Sequence, residues 1–180
     1  MWPRLSKPPP TLTRPNREER DTLLEALKIF EQYSDSNLNA RRWISNVKQH
    51  LVVTTFLLED KENLKRYALE YLNDPWVKGY DDKSYSGLVR AKVASVEGHY
   101  AEACDAINEY IAYKLGIARI DGSKVESLAE CYYLLGKWQL AMGKHAEAVE
   151  SFDRGLALDD EPGNHKWRAR IKSLLNLYSE

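Results

Sequence analysis

Cysteine is almost missing from this chain, with Cys104 and Cys131 the only two in 180 residues and no CxxC between them. That excludes a disulfide-stapled scaffold, a thiolate zinc site and a dithiol redox motif, and leaves two buried thiols as the reading. Glycine is also sparse, at nine residues, and none of it forms a phosphate-cradling loop. HExxH, GxSxG and any Cys–His cluster are absent too, so catalytic, cofactor-binding and metal-ligating residues are all read as none. No apolar run approaches the roughly 20 residues that span a bilayer, and the opening MWPRLSKPPP lacks a signal peptide's apolar stretch. A cytoplasmic protein without a transmembrane segment is the expectation. Charge of one sign is lacking as well: the net charge is −1, which gives the chain as a whole no pull toward nucleic acid or membranes.

What is present is helical periodicity. Residues 1–15 are set apart as a Pro-rich extended arm, because KPPPTLTRP favours polyproline II and excludes a helix. The arm reads as a tail, with docking to another protein, or Trp2 packing on the chain's own surface, as alternatives. Residues 16–180 read as one helical domain. Asn16 and Glu19 form a capping box before a helix with Leu23, Leu27 and Phe30 on one face. From Ala40 to Leu58 a stripe of Trp43, Val47, Leu51, Thr54 and Leu58 predicts a central helix, and its partner ends before Asp74–Pro75. Residues 74–83 read as a connection, with Asp82 or Ser84 capping the next helix. A helix pair breaking at Gly98 and ending at Gly116 follows, then a second capping box, Ser123 with Glu126. A further pair breaks at Gly143, and a last helix over 164–178 is apolar on one face and basic on the others.

Two of these segments echo each other: EGHYAEACDAI from Glu97 and MGKHAEAVESF from Met142. Each has a turn glycine, a Glu–Ala pair and a later apolar anchor, Ile107 or Phe152. A repeating helical hairpin cannot bury its apolar face alone, so stacked helix pairs are expected rather than a globule around one core.

Residues 129–160 resemble a tetratricopeptide repeat. Tyr132 falls at the family's first large position, Leu135–Gly136 at the small-residue crossing, Gly143 at the turn, Ala148 at the close helix contact and Phe152 at the later aromatic. Gly155 departs from the pattern, standing where alanine is usual. Residues 84–114 resemble it more weakly, through Ala91, Gly98, Tyr100, Ala103 and Ile107, with Gly87 and Arg90 in place of apolar residues. Gly98 and Gly143 are spaced more widely than the family period of about 34 residues. Residues 40–73 have the rhythm of a degenerate third unit, but no glycine or alanine landmark fixes its register. The resemblance implies an all-α fold: a short right-handed α-solenoid of about eight helices, in units at about 40–73, 84–115 and 124–158, with an extra N-terminal helix and a C-terminal cap.

The resemblance also implies a function: a non-enzymatic adaptor or co-chaperone-like scaffold that binds a peptide or helix in its inner groove. Lys92 and Lys137 occupy equivalent places that would face this groove, sharing it with Tyr85, Leu88 and Ser95 in one unit and Tyr133 and Leu140 in the next. Such a lining suits an acidic or amphipathic segment of a partner protein. Arg41, Arg42 and Lys48 lie on the first helix of a pair as well. A chaperone-tail clamp would need a Lys and Asn pair that is not found. The first alternative is a structural subunit or homo-oligomer using the arm and the last helix in complex assembly. The lowest-ranked alternatives are an enzyme or a nucleic-acid-binding protein. Of the four histidines, His99 and His145 sit in equivalent turns and read as surface residues, His50 and His165 lack an acidic partner placed for a catalytic dyad, and the acidic groups at 59–60, 81–82 and 159–161 read as solvated turns.

Overall fold

The computed structural model describes residues 17–34, 37–79, 83–121, 128–158 and 162–178, which are helical and contain no strand. In chain order the helices are α1 (Arg17–Gln32), α2 (Leu38–Leu57), α3 (Lys61–Leu72), α4 (Pro75–Gly79), α5 (Lys83–Glu97), α6 (Tyr100–Asp121), α7 (Leu128–Ala141), α8 (His145–Leu156) and α9 (Pro162–Tyr178). The described residues group into two compact units, α1–α6 and α7–α9.

In the first unit α2 packs against α1 and α3, α3 against α5, and α5 against α6. The core runs through Leu51 and Val52 of α2, Leu64 and Tyr71 of α3 and Val89 of α5, all fully buried. Each buried Leu or Val contributes about 1.5–3 kcal/mol of transfer free energy, so burial at these helix faces holds the unit together. Helix α1 adds Leu27, with Leu23, Leu24 and Phe30 half-buried beside it. In the second unit α7 packs against α8 and α9, around Ala148, Phe152 and Ile171.

The register that the sequence leaves open for residues 40–73 is fixed by backbone hydrogen bonds. At the end of α5, His99 N–H donates to Ala94 O (2.9 Å) and Gly98 N–H to Ser95 O (3.2 Å). At the end of α7, Lys144 N–H donates to Gln139 O (2.9 Å) and Gly143 N–H to Leu140 O (3.0 Å). At the end of α2 the same pair recurs, from Asp60 to Thr55 O (3.0 Å) and from Glu59 to Phe56 O (3.2 Å). This is the Schellman arrangement, whose pivot residue is left-handed. Gly98 (φ 83) and Gly143 (φ 76) adopt that conformation freely; Glu59 (φ 59) adopts it against the clash of its β-carbon. The landmark of the first pair is therefore a glutamate, which no glycine search would find.

With the three turns aligned, residues at matching offsets from them share their burial. Val52, Ala91 and Gly136 are equivalent, as are Leu64, Ala103 and Ala148, and then Ala68, Ile107 and Phe152; all are buried. Tyr132 and Leu135 are buried as well. A β-carbon on Gly136 would collide with the Phe152 ring. The two odd glycines also find a cause. A β-carbon at Gly87 would stand 3.3 Å from Cβ of Tyr110, and one at Gly155 would stand 3.1 Å from Cβ of Tyr132 and 2.6 Å from Cδ1 of Ile171. Gly87 is the repeat equivalent of Tyr132, and Tyr110 that of Gly155. One hairpin pairs a small first-helix residue with a large second-helix one; the other does the reverse.

Several boundaries differ from the sequence reading. The connection at 74–83 contains a helix that the sequence reading lacks, α4, because Asp74 caps it: Trp76 N–H donates to Asp74 Oδ1 (2.9 Å). Helix α6 passes through Gly116 to Asp121, since the isolated glycine lacks the left-handed turn that would end it. Ser84 lies inside α5 rather than capping it, and α9 starts at Pro162, whose fixed φ and missing N–H suit a first helical turn. The Pro-rich arm, the capping boxes at Asn16 and Ser123, Asp82, and the acidic residues at 81–82 and 159–161 lie outside the described residues.

Candidate functional site

The seven residues expected to line one groove are in two different settings. In the first unit their face of α5 is interior. Lys92 has no solvent exposure, and its Nζ sits 4.7 Å from the centroid of the Phe56 ring, in the last turn of α2. Leu88 and Ser95 are buried, and Ser95 Oγ donates to the Lys92 carbonyl (2.8 Å). Tyr85 is half-buried in a run of edge-to-face rings, 6.0 Å from Tyr71 of α3 and 6.3 Å from Tyr110 of α6. A partner has no access to Leu88, Lys92 or Ser95 in the folded unit, which corrects the expected lining. At Lys92 the cause is tertiary: Phe56 of the preceding hairpin lies against it, and a lysine can enter such a place when an aromatic ring receives its charge.

In the second unit the equivalent face of α7 meets α9. Leu140 is half-buried against Ala148, Phe152 and Ile171. Tyr133 is half-buried, its ring 5.3 Å from that of Trp167. Lys137 is exposed, with Nζ 5.6 Å from the Tyr133 ring centroid. Lys92 and Lys137 thus share a register but not an environment.

Around the two rings of this second unit the structure gathers cations from both helices. The Arg170 guanidinium lies 4.4 Å from the Trp167 centroid and 5.9 Å from that of Tyr133, while Lys166 Nζ lies 5.3 Å from Trp167. Trp167 is only 3% exposed, so its ring is a floor and not a free face. Burial pushes the Tyr133 phenol above its ordinary pKa, and the Arg170 charge pulls it back in part. Cation–ring contacts contribute about 0.5–2 kcal/mol and fix the charges in place. The sequence marks Lys166 and Arg170 only as part of a basic outer face. The readable signal was their spacing: residues four apart in a helix share a side, and Trp167 lies next to Lys166.

The remaining candidates have structural settings. Lys48 donates to Asp74 Oδ2 (2.8 Å) in a largely buried pair that ties α2 to the cap of α4. Arg41 Nε donates to the Ser34 carbonyl (2.8 Å), and Arg42 is exposed. Asp60 caps α3, accepting from Asn63 N–H (3.2 Å) and Asn63 Nδ2 (2.7 Å). Lys65 of α3 pairs with Glu97 of α5 (2.5 Å), holding the Glu97 carboxyl below its ordinary pKa. All four histidines are exposed, and His99 Nδ1 lies 3.9 Å from Glu97 and 3.8 Å from Glu102. Among the described residues no cluster of His, Cys, Asp and Glu could hold a metal ion, and no helix is long and apolar enough to cross a membrane.

No protein-family model, curated protein or solved structure matches the chain. The functional reading rests on the chain's own geometry.

Proposed function

We infer that this chain is a non-enzymatic protein-interaction adaptor whose helix pairs are those of a short tetratricopeptide-like α-solenoid. The observation that carries the reading is the threefold recurrence of one turn, at Glu59, Gly98 and Gly143, with buried helix-contact residues at matching offsets on both sides. Repeated hairpins of this kind build extended surfaces, and extended surfaces recognise polypeptide segments. The chain contributes no catalytic motif that would favour another class. The test is affinity capture with the tagged full chain, followed by mass spectrometry and reconstitution with the purified candidate. A defined partner that binds the folded chain at a fixed stoichiometry is the expected result; the absence of any reconstituted complex would overturn it.

A second reading, a structural subunit or self-associating protein, has its own support at α1 and α2. Trp43 is 52% exposed although it belongs to the apolar stripe of α2, and its ring stacks on Phe30 (6.1 Å, 14°), with Ile29 and Tyr33 also exposed nearby in sequence. Apolar side chains grouped in this way are typical of contact surfaces. Light scattering on the native chain and on Trp43→Ser decides it. A mass that rises with concentration in the native chain and not in the variant supports assembly, and a constant monomer mass in both rejects self-association.

A further inference from the structure

The ring-seated cations of α7 and α9 are arranged unlike most other surface charges of the described residues; Arg66 also lies on a ring, that of Tyr67 (4.6 Å), but has Glu70 3.9 Å away. Most exposed lysines and arginines with described partners point at carboxylates: Arg90 at Glu109 (3.1 Å), Lys144 at Glu147 (3.4 Å) and Arg154 at Glu150 (2.6 Å). Lys166 and Arg170 do not. Their contacts are the rings of Trp167 and Tyr133, and among the described residues no carboxylate lies within ion-pair distance of either. A ring orients a cation without neutralising it, since the attraction comes from the quadrupole and leaves the N–H groups to bond elsewhere. Among the described residues Arg170, lying against both rings, has those ring contacts and no hydrogen-bond acceptor. Lys166, one helical turn away on the same side of α9, and Lys137, sharing the Tyr133 ring from α7, extend the positive field across two helices. In a chain of net charge −1 this is a local concentration of positive charge, held in place before anything binds.

We propose that the face formed by Lys137, Lys166 and Arg170 over Tyr133 and Trp167 is a docking site for an acidic peptide segment of a partner protein. The proposal deepens the adaptor reading and rests on it. The planar guanidinium can take one carboxylate in bidentate fashion, and the Lys166 ammonium can take a neighbouring one along the segment. Other polyanions fit less well. Single-stranded nucleic acid binds by stacking bases on open aromatic faces, and here the tryptophan is buried while cations occupy the sides of the rings. An anionic membrane would ask α9 for a free apolar face, but Ile171, Leu174 and Leu175 are committed to the packing of the second unit. Exposed ion pairs are individually weak, about two- to fivefold in affinity each, so binding should be reversible and strongly dependent on salt.

The experiment uses the full chain and fluorescence anisotropy with a labelled hexaglutamate peptide at low and at physiological ionic strength. Lys166→Ser is fully tolerable, because that side chain is exposed; Arg170→Gln and Arg170→Lys follow, with circular dichroism and thermal melts verifying the fold. Lys172→Ser, on the exposed side of α9 without a ring contact, is the control. The expected result is a loss of about two- to fivefold for Lys166→Ser, a comparable or larger loss for Arg170→Gln with partial rescue by Arg170→Lys, and no loss for Lys172→Ser. Equal affinity in Lys166→Ser, or an equal loss in Lys172→Ser, overturns the site. So does tighter binding of oligo(dT) or of phosphatidylserine vesicles that vanishes in the same variants. Capture by Lys166→Ser/Arg170→Gln separates this proposal from the broader one. If the double variant retains the native chain's reconstituted partner at unchanged affinity, the acidic-peptide site fails and the adaptor reading stands. If hexaglutamate discriminates among the variants but no partner reconstitutes, the adaptor reading fails alone.

Discussion

Gly136 leaves no room for a β-carbon, because the Phe152 ring fills the crossing of α7 and α8. Gly136→Ala should therefore destabilise the second unit by about 1–3 kcal/mol, read as a lower denaturation midpoint, since the ring has to leave its place or the helices have to separate. Glu59 presents the opposite case. Its left-handed backbone costs about 1–2 kcal/mol, so Glu59→Gly should raise the midpoint of urea unfolding by an amount equivalent to about 1 kcal/mol. An unchanged or lower midpoint would show that the glutamate side chain makes up the difference. These residues also mark what a sequence can reveal. Gly98 and Gly143 are readable because left-handed turns select glycine, whereas Glu59 performs the same turn without the signature. Lys92 and Lys137 are indistinguishable by local pattern; one is interior because Phe56, distant in sequence, lies over it.

At the level of the helices, caps and one ion pair join elements that the apolar pattern leaves separate. Asp60 begins α3 with a carboxyl held below its ordinary value of 3.8, chiefly by the Asn63 side chain, then by the Asn63 backbone and the nearby Arg20 and Arg66 charges, against the opposing effect of burial. The unfolded chain protonates this carboxyl first as the pH drops. The cap's contribution is complete above the ordinary value, then shrinks below it and is gone once the pH passes the lowered one. Asn63→Ala should lower stability at neutral pH and flatten the loss between those limits, which chemical denaturation across an acid pH series would measure. A loss as steep as that of the native chain would count against Asn63 as the cause. The Lys48–Asp74 pair is more deeply set. Asp74→Ala strips the partner from a mostly buried ammonium and removes the cap of α4, and should cost about 3 kcal/mol in a thermal or urea melt. Neither α4 nor this pair was readable in the sequence. DPWVKG has turn chemistry, and its helix depends on an aspartate whose second oxygen is engaged from α2.

Across the whole molecule, the two cysteines report on the two units separately: Cys104 is buried in α6 and Cys131 in α7. Both thiols should resist aromatic disulfide reagents in the native chain and react fully in denaturant. Rapid labelling of either one in native buffer would mean that its unit opens readily. Helix existence and hairpin boundaries were largely legible because apolar periodicity and turn glycines are local properties. The expected groove was not, because exposure depends on which hairpin covers which face, and a register shared by two lysines carries no information about that. The reciprocal Gly87–Tyr110 and Tyr132–Gly155 contacts have a consequence for the chain's history and for its re-engineering. Repeat proteins are commonly regarded as built from exchangeable modules, yet these two hairpins could not trade second helices. Uniting α5 with α8 would set glycine against glycine and open a void, and uniting α7 with α6 would press two tyrosines into space for one. Any exchange between these hairpins would have to move a hairpin as a whole, or change both partners of the contact together.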